Sequence, residues 1–490
     1  MANRHSLAEH IPLTSLSRPF HDAVELAVQL NVNYIWIDAL CIVQDSISDW
    51  RHEASIMADV YKHAYCNIAI TFASGEHGEI PIERDPMFVT PIIIKVEHSG
   101  VLSRLLSKVG PGDQDRIRSS WIPEGTYSLV EERMMVIFGR GWIFQELLLA
   151  PRVLYVGGSQ YYWQCTELCA SETHPLLKSW ISPGSQWAIR NEITEWTAIK
   201  REFQSIIMKS KAGKTKLPEI RHLWYRLVEA YSHARLTLAK DKLVALSGIA
   251  ERVAKPLKSA YLAGLWESNL LDGLLWSSAD RDKAVRTDVY RAPTWSWASL
   301  DGRVSYGNPI FPNNRERHYL DHYETKTELA SVVEARTSTL PGQIFSEVSG
   351  GFIRLRTHLL KADANAFTKN PDHIEIKQLR FSVMSFPDVE KEISLPGKYV
   401  YAPLCIKKEG RPGAWRFYDS ASVEIIYGLV LKKVSGGKGL YTRFGIFSAR
   451  DLYKGSMEIR RYFGASKLHE GYYERVDVDD GLTTYTFRVV

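Results

Sequence analysis

An α/β module over residues 1–172, a helical region over 173–302 and a β-rich domain over 303–490 form the architecture that this sequence predicts. Three observations support it. Apolar helix faces alternate with short β-branched and aromatic runs in the first third. Helical spacing dominates the middle. Stretches of period two, separated by Gly and Pro, fill the end.

Pro19 suits a first helical turn, and Phe20, Ala23, Val24 and Ala27 follow on one face. Tyr34-Ile35-Trp36-Ile37-Asp38 reads as a short buried strand. Asp49 reads as a helix cap, with Ala54, Met57, Ala58 and Tyr61 marking the face of the helix it opens. Asn67 to Ala73 and Val153 to Val156 read as further strands, and the β-α-β order predicts one mainly parallel sheet. Residues 74–139 are irregular, with a strand expected at Val89 to Val96. Trp142 to Leu149 reads as a helix ended by Pro151, and Tyr161 to Gln164 as a strand beyond a Gly157-Gly158 turn. Trp36, Trp142 and Trp163 each sit in an apolar motif and are expected to be largely buried. Farther on, helices are expected over Leu223 to Leu238, with Trp224, Leu227, Val228 and Tyr231 on one face, and over Lys242 to Val253. Phe352 to Leu355, Tyr399 to Ile406, Glu424 to Lys432 and Arg443 to Phe447 predict an antiparallel β domain.

The 490 residues suffice for two to four domains, and 45% hydrophobic with 24% charged residues is globular composition. A net charge of +5 gives no reason to expect nucleic acid or an anionic membrane as partner. Met1 to His10 lacks the apolar core of a signal peptide, and no apolar run approaches the ~20 residues of a membrane span. Cys41, Cys66, Cys165, Cys169 and Cys405 are few and odd in number, which fits free thiols in a cytoplasmic protein.

Several signatures fail. Gly213-Lys214-Thr215 resembles the end of a phosphate-binding loop, but Met208 stands where that loop needs glycine. Gly436-Gly437-Lys438-Gly439 has no helical pattern after it and reads as a hairpin turn. Cys165 and Cys169 lack a second Cys/His pair, so no metal is expected and they read as two buried thiols. Cys41 reads either as core packing or as a nucleophile served by His63, His77 or His174.

What remains is dense. Tyr34 to Cys41 continues into Ile42-Val43-Gln44-Asp45; Trp50 to Glu53, Met57, Val60-Tyr61 and Ala64 follow; then come Arg140-Gly141-Trp142-Ile143-Phe144-Gln145-Glu146-Leu147-Leu148, Pro151-Arg152-Val153-Leu154-Tyr155 and Tyr162-Trp163-Gln164-Cys165. In order and spacing these motifs resemble the heterokaryon-incompatibility (HET) domain of filamentous fungi. Tyr231-Ser232, Asp241-Lys242-Leu243 and Ala292-Pro293-Thr294-Trp295-Ser296-Trp297 resemble elements that follow the domain in that family. Domains of this kind open with a strand bearing a Leu-Ser-Tyr-x-Trp-Gly type motif. This chain begins at Met1 shortly before the first helix, so that strand is expected to be absent.

The resemblance implies a flavodoxin-like or TIR-like parallel sheet. It also implies a role in self/non-self recognition and programmed cell death, exercised through protein partners or self-association. No cofactor is expected. Because TIR domains that cleave NAD use a glutamate in a Trp-x-x-x-Glu setting, Trp142 and Glu146 make NAD a candidate substrate and Glu146 a candidate catalytic carboxylate. The other reading of Glu146 is a structural acid paired with Arg140 or Arg152. Asp38, Gln44 and Asp45 are expected to shape a pocket at the strand end or to cap a turn.

Overall fold

The computed structural model describes residues 4–71, 139–157, 161–172, 192–307, 326–339, 343–362, 374–375, 381–393, 397–409, 423–451, 463–479 and 481–490. The chain divides into two compact units, Met1–Arg201 and Glu202–Val490.

The first unit begins with α1 (Arg4–Glu9) and α2 (Arg18–Gln29), which has Pro19 in its first turn and buries Asp22, Ala23 and Ala27. A single helical turn, α3 (Asp38–Cys41), precedes α4 (Ile47–His63). Ser46, and not Asp49, caps α4: its hydroxyl accepts the Asp49 N–H at 3.3 Å. Asp49 lies in the first turn and accepts the Val43 N–H at 2.8 Å, so the acid ties down the incoming loop. Ala54, Met57 and Ala58 form the buried face of α4, as their spacing requires.

Four strands make one sheet in the order β1 (Asn67–Ile70), β2 (Arg152–Val156), β3 (Tyr161–Cys165), β4 (Cys169–Ser171). The β1–β2 pair is parallel, with α5 (Gly141–Leu149) leading into β2. The β2–β3 and β3–β4 pairs are antiparallel, so the sheet is mixed and not mainly parallel. Four residues separate β2 from β3 and three separate β3 from β4, and a chain that returns this soon can only run antiparallel. Helix α6 (Glu192–Lys211) packs on α5 and on the sheet: Trp196 meets Phe144 of α5 at 4.9 Å, and Thr197 bonds Gln164 of β3 at 3.2 Å.

Tyr34 to Asp38 is not a strand. Ile37 holds extended backbone (φ −130°, ψ 121°), as its β-branched side chain favours, but residues 32–37 have no ladder partner among the described residues. Preference for extended backbone does not suffice for a strand, which needs a neighbour to bond to. Tyr34 is 90% exposed in consequence, and Cys41 is exposed, not packed in a core. Trp36, Trp142 and Trp163 are half-buried, less than expected. Trp36 packs edge-on to Tyr61 and Trp142 edge-on to Trp50, each leaving part of its surface uncovered. Cys169 is buried, whereas Cys165 is only partly so. The expected strand at Val89 to Val96 lies outside the described residues.

The second unit contains α7 (Leu217–Ser232), which buries Leu223, Trp224, Leu227, Val228 and Tyr231. It starts earlier than expected, with Pro218 in its first turn, and stops at Ser232. Two 3-10 turns then lead into α8 (Ser247–Leu257). Trp224, Trp266, Trp276, Trp295 and Trp297 are fully buried. The indole N–H groups of Trp224 and Trp297 share the Gly264 carbonyl at 3.0 and 2.9 Å. Gly264 has φ +96°, and a Cβ there would stand 2.6 Å from Trp297 Nε1, so both the conformation and the space demand glycine.

An eleven-stranded sheet closes the unit. Its strands are β5 (Lys326–Glu328), β6 (Ser331–Thr339), β7 (Val348–Thr357), β8 (Leu360–Ala362), β9 (Ile374–Glu375), β10 (Phe381–Pro387), β11 (Tyr399–Glu409), β12 (Val423–Lys433), β13 (Leu440–Asp451), β14 (Arg475–Asp479) and β15 (Leu482–Val489). The main path runs β5-β11-β12-β13-β15-β7-β6, antiparallel throughout except for a short parallel β13–β15 contact. The Gly436 to Gly439 stretch turns β12 into β13, with Gly436 and Gly439 at positive φ. Tyr401, Ile426, Val430, Phe444, Phe447 and Phe463 belong to the core on this sheet.

Candidate functional site

Helices α4 and α5 pack together in the first unit, and their contact positions the site. Arg140 stands as the extended residue before α5 (φ −99°, ψ 129°), which lets Gly141 begin a buried helix behind it. Glu146 falls one turn after Trp142 on α5, and Tyr61 occupies the last turn of α4. The Tyr61 hydroxyl donates a hydrogen bond to the Glu146 carboxylate. Asn67 at the head of β1 donates from Nδ2 to the Glu146 main-chain oxygen at 3.3 Å, which sets the level of α5 against the sheet.

Burial pushes the Glu146 carboxyl up to about 7. The Tyr61 hydrogen bond opposes this, the nearby Asp38 carboxylate adds to it, and the Arg140 guanidinium opposes it again. Burial also raises the Tyr61 phenol, with Glu146 the next cause, so the tyrosine remains a donor. Both side chains are half-buried. The Trp36 ring lies 5.6 Å from the Tyr61 ring, edge-on, and Trp50 meets Trp142 at 6.0 Å in the same manner.

Of the residues singled out in the sequence, Asp38, Arg140 and Tyr61 therefore gather about Glu146. Asp38 is exposed; its Oδ1 accepts the Ala39 N–H at 2.7 Å, and its main-chain oxygen accepts Gln44 Nε2 at 3.2 Å. Gln44 also donates to the Ile42 carbonyl at 3.1 Å, so it braces the turn. Asp45 is exposed beyond it. Arg152 is turned elsewhere: it bonds the Tyr65 carbonyl at 3.1 Å and stacks over the Tyr65 ring at 5.3 Å. Gly141 and Gln145 are buried in the α5 packing, and Trp163 sits in β3 opposite Leu154 and Ala170. Cys41 is exposed, and His63 Nδ1 contacts the Asp59 carbonyl at 2.9 Å; His77 and His174 lie outside the described residues.

Sequence reasoning placed Tyr61 on an apolar helix face and missed its bond to Glu146. The available signal was a hydroxyl on a face otherwise made of Ala54, Met57 and Ala58. It also missed Lys200, buried at 1% exposure with no hydrogen-bond partner for Nζ among the described residues. Burial pushes this amine down to about 7, opposed by the thiols of Cys169, Cys165 and Cys66. Arg201 beside it donates to Cys169 Sγ at 3.3 Å.

Among the described residues, His21, Asp22 and Glu25 are the group whose ligand atoms could meet one cation, lying within 4.8 Å of one another; Asp22 is also ion-paired with Arg18 at 2.8 Å. No described helix is long and apolar enough to cross a membrane. No curated protein and no solved structure matches the chain. The helices and acids that surround Glu146 nevertheless fall within residues 2–146, which match the family model described as Heterokaryon incompatibility protein (HET).

Proposed function

We propose that this protein is a cytoplasmic incompatibility signalling protein, which reports non-self contact and triggers cell death by associating with other protein chains. One observation supports the association: residues 32–37 lie outside helix and strand and have no ladder partner among the described residues, with Ile37 extended and Tyr34 90% exposed. Ile35 beside it and Leu40 beyond it are each 38% exposed. Such a segment offers both backbone hydrogen-bond groups and apolar side chains to an added strand.

A second reading has its own support. Glu146 carries a carboxyl that titrates near neutrality beside Asp38, Arg140 and Tyr61. Such a carboxylate can stabilise the positive charge that grows on a ribose as the nicotinamide bond of NAD breaks.

One experiment separates the two readings. The protein is expressed in a filamentous fungus, and growth arrest is scored for wild type, for Tyr34→Lys with Ile35→Lys, and for Glu146→Gln. Arrest lost only in the lysine variant supports association, and arrest lost only in Glu146→Gln supports the enzyme. No arrest by the wild type sinks the cell-death reading.

A further inference from the structure

Strand β14 (Arg475–Asp479) has one ladder neighbour among the described residues, β15, so its far edge presents backbone N–H and C=O groups to an added strand. The strand reads Arg475-Val476-Asp477-Val478-Asp479, a strict alternation. Its valines face one side and its three charged residues the other. Val476 stands opposite Tyr485 of β15, which is 1% exposed, and Val478 stands opposite Thr483. The two valines thus continue the buried face of the sheet past its edge, where they are 42% and 69% exposed.

Charges on an edge strand ordinarily keep other strands away. The order of the charges on β14 makes an exception of one partner, a second copy of itself. When two copies lie antiparallel with Asp477 at the two-fold axis, Arg475 of each falls opposite Asp479 of the other. Val476 of each then falls opposite Val478 of the other. Opposite charges and β-branched pairs in these places favour pairing. The opposing element is Asp477, which meets its own copy. Each Asp477 is held by Arg475 of its own chain, with Nε at 2.9 Å and Nη2 at 2.8 Å. A guanidinium has five N–H groups, so Arg475 can bridge its own Asp477 and the Asp479 across the axis. A slip of one residue would put the valines of the two copies on opposite faces. A slip of two would leave either Arg475 or Asp479 without its opposite charge.

We propose that two copies of this chain join through antiparallel β14 strands, which extends the sheet across a two-fold axis. This edge belongs to the second unit and is independent of the Tyr34 segment in the first. Sedimentation equilibrium of the full chain over a concentration series tests the proposal. The wild type is expected to show a reversible monomer–dimer equilibrium. Arg475→Asp sets two carboxylates against each other in both places, and Asp479→Arg sets two guanidinium groups against each other. Each variant alone is expected to weaken the dimer by roughly tenfold or more. An equimolar mixture of the two is expected to restore it, because every place then holds a carboxylate opposite a guanidinium. Both residues are exposed, and circular dichroism checks that the variants are folded. A wild type that stays monomeric throughout overturns the proposal. So does a dimer that either variant keeps at wild-type strength, or a mixture no more dimeric than the variants apart.

Discussion

The Tyr61 hydroxyl donates to the Glu146 carboxylate and so joins the last turn of α4 to the middle of α5. The bond places an acid that titrates near neutrality in the packing between two helices. Its folded value of about 7 lies above the ordinary 4.5. The folded state therefore holds the proton more tightly than the unfolded state does. Glu146 favours folding least above pH 7, where burial opposes its charge, and the penalty vanishes as pH falls below 4.5. Glu146→Gln should accordingly stabilise the chain at pH 8, by on the order of 1–3 kcal/mol, and change little near pH 4.5. Urea unfolding at the two pH values measures this; equal shifts at both would show that the carboxyl is not perturbed.

Lys200 gives the opposite sign. Its folded value of about 7 lies below the ordinary 10.5, so the unfolded state binds more protons between those values. Stability should rise with pH from about 7 to about 10, through this group, and be lowest below 7. Lys200→Met keeps the length of the side chain and removes the buried amine. It should raise stability at pH 7 by on the order of a few kcal/mol and flatten the rise. A melting temperature unchanged by the substitution would mean that the amine is solvated.

Gly264 should tolerate no side chain. With φ +96° and Trp297 Nε1 at 2.6 Å from an added Cβ, Gly264→Ala strains the backbone and displaces an indole. A loss on the order of 2–4 kcal/mol is expected, read from chemical denaturation. A loss below about 0.5 kcal/mol would place the tryptophan cluster elsewhere.

Arg443 and Asp388 form a fully buried ion pair, with bonds of 2.8 and 3.0 Å. The guanidinium also lies 3.5 Å from the centre of the Trp276 ring. Arg443→Met strands Asp388 with Arg286 as its remaining cation at 3.1 Å. It should cost ~3–5 kcal/mol, and adding Asp388→Asn should recover part of that loss. Unfolding midpoints of the two variants decide; a double variant less stable than the single would contradict the charge argument.

The sequence disclosed these features unevenly. The stretches at Tyr399 and Glu424 led directly to strands, because strands buried along both faces read as short runs of β-branched and aromatic residues between Gly and Pro. The α5 helix and the β2–β3 hairpin were equally legible from Pro151 and the apolar run before it. The Tyr34 run misled, since its side chains report conformation and say nothing of a partner strand. At the site, Glu146 and Asp38 stood out by motif. Tyr61 did not, because its bond spans 85 residues and depends on how two helices pack. Lys200 was hidden for the same reason: a lysine midway along a polar-looking helix gives no local sign of burial.

The groups around Glu146 supply a last test, one that rests on the NAD-cleaving reading. If the ionised carboxylate does the work, nicotinamide release should rise with pH to a plateau, with its midpoint near 7. Glu146→Gln should reduce turnover severely at every pH while leaving NAD binding much the same. The neighbours then move the midpoint in directions fixed by their effects. Tyr61 and Arg140 hold the Glu146 carboxyl down, so Tyr61→Phe and Arg140→Gln should each shift the midpoint upward. Asp38 holds it up, so Asp38→Asn should shift it downward. A residue that serves only the fold would lower activity at all pH values without moving the midpoint. Nicotinamide release by purified wild type and the four variants, each checked for folding by circular dichroism, measures these shifts. Midpoints that coincide in all active variants, or release by Glu146→Gln at the wild-type rate, would remove Glu146 from the chemistry and leave it a structural acid between α4 and α5.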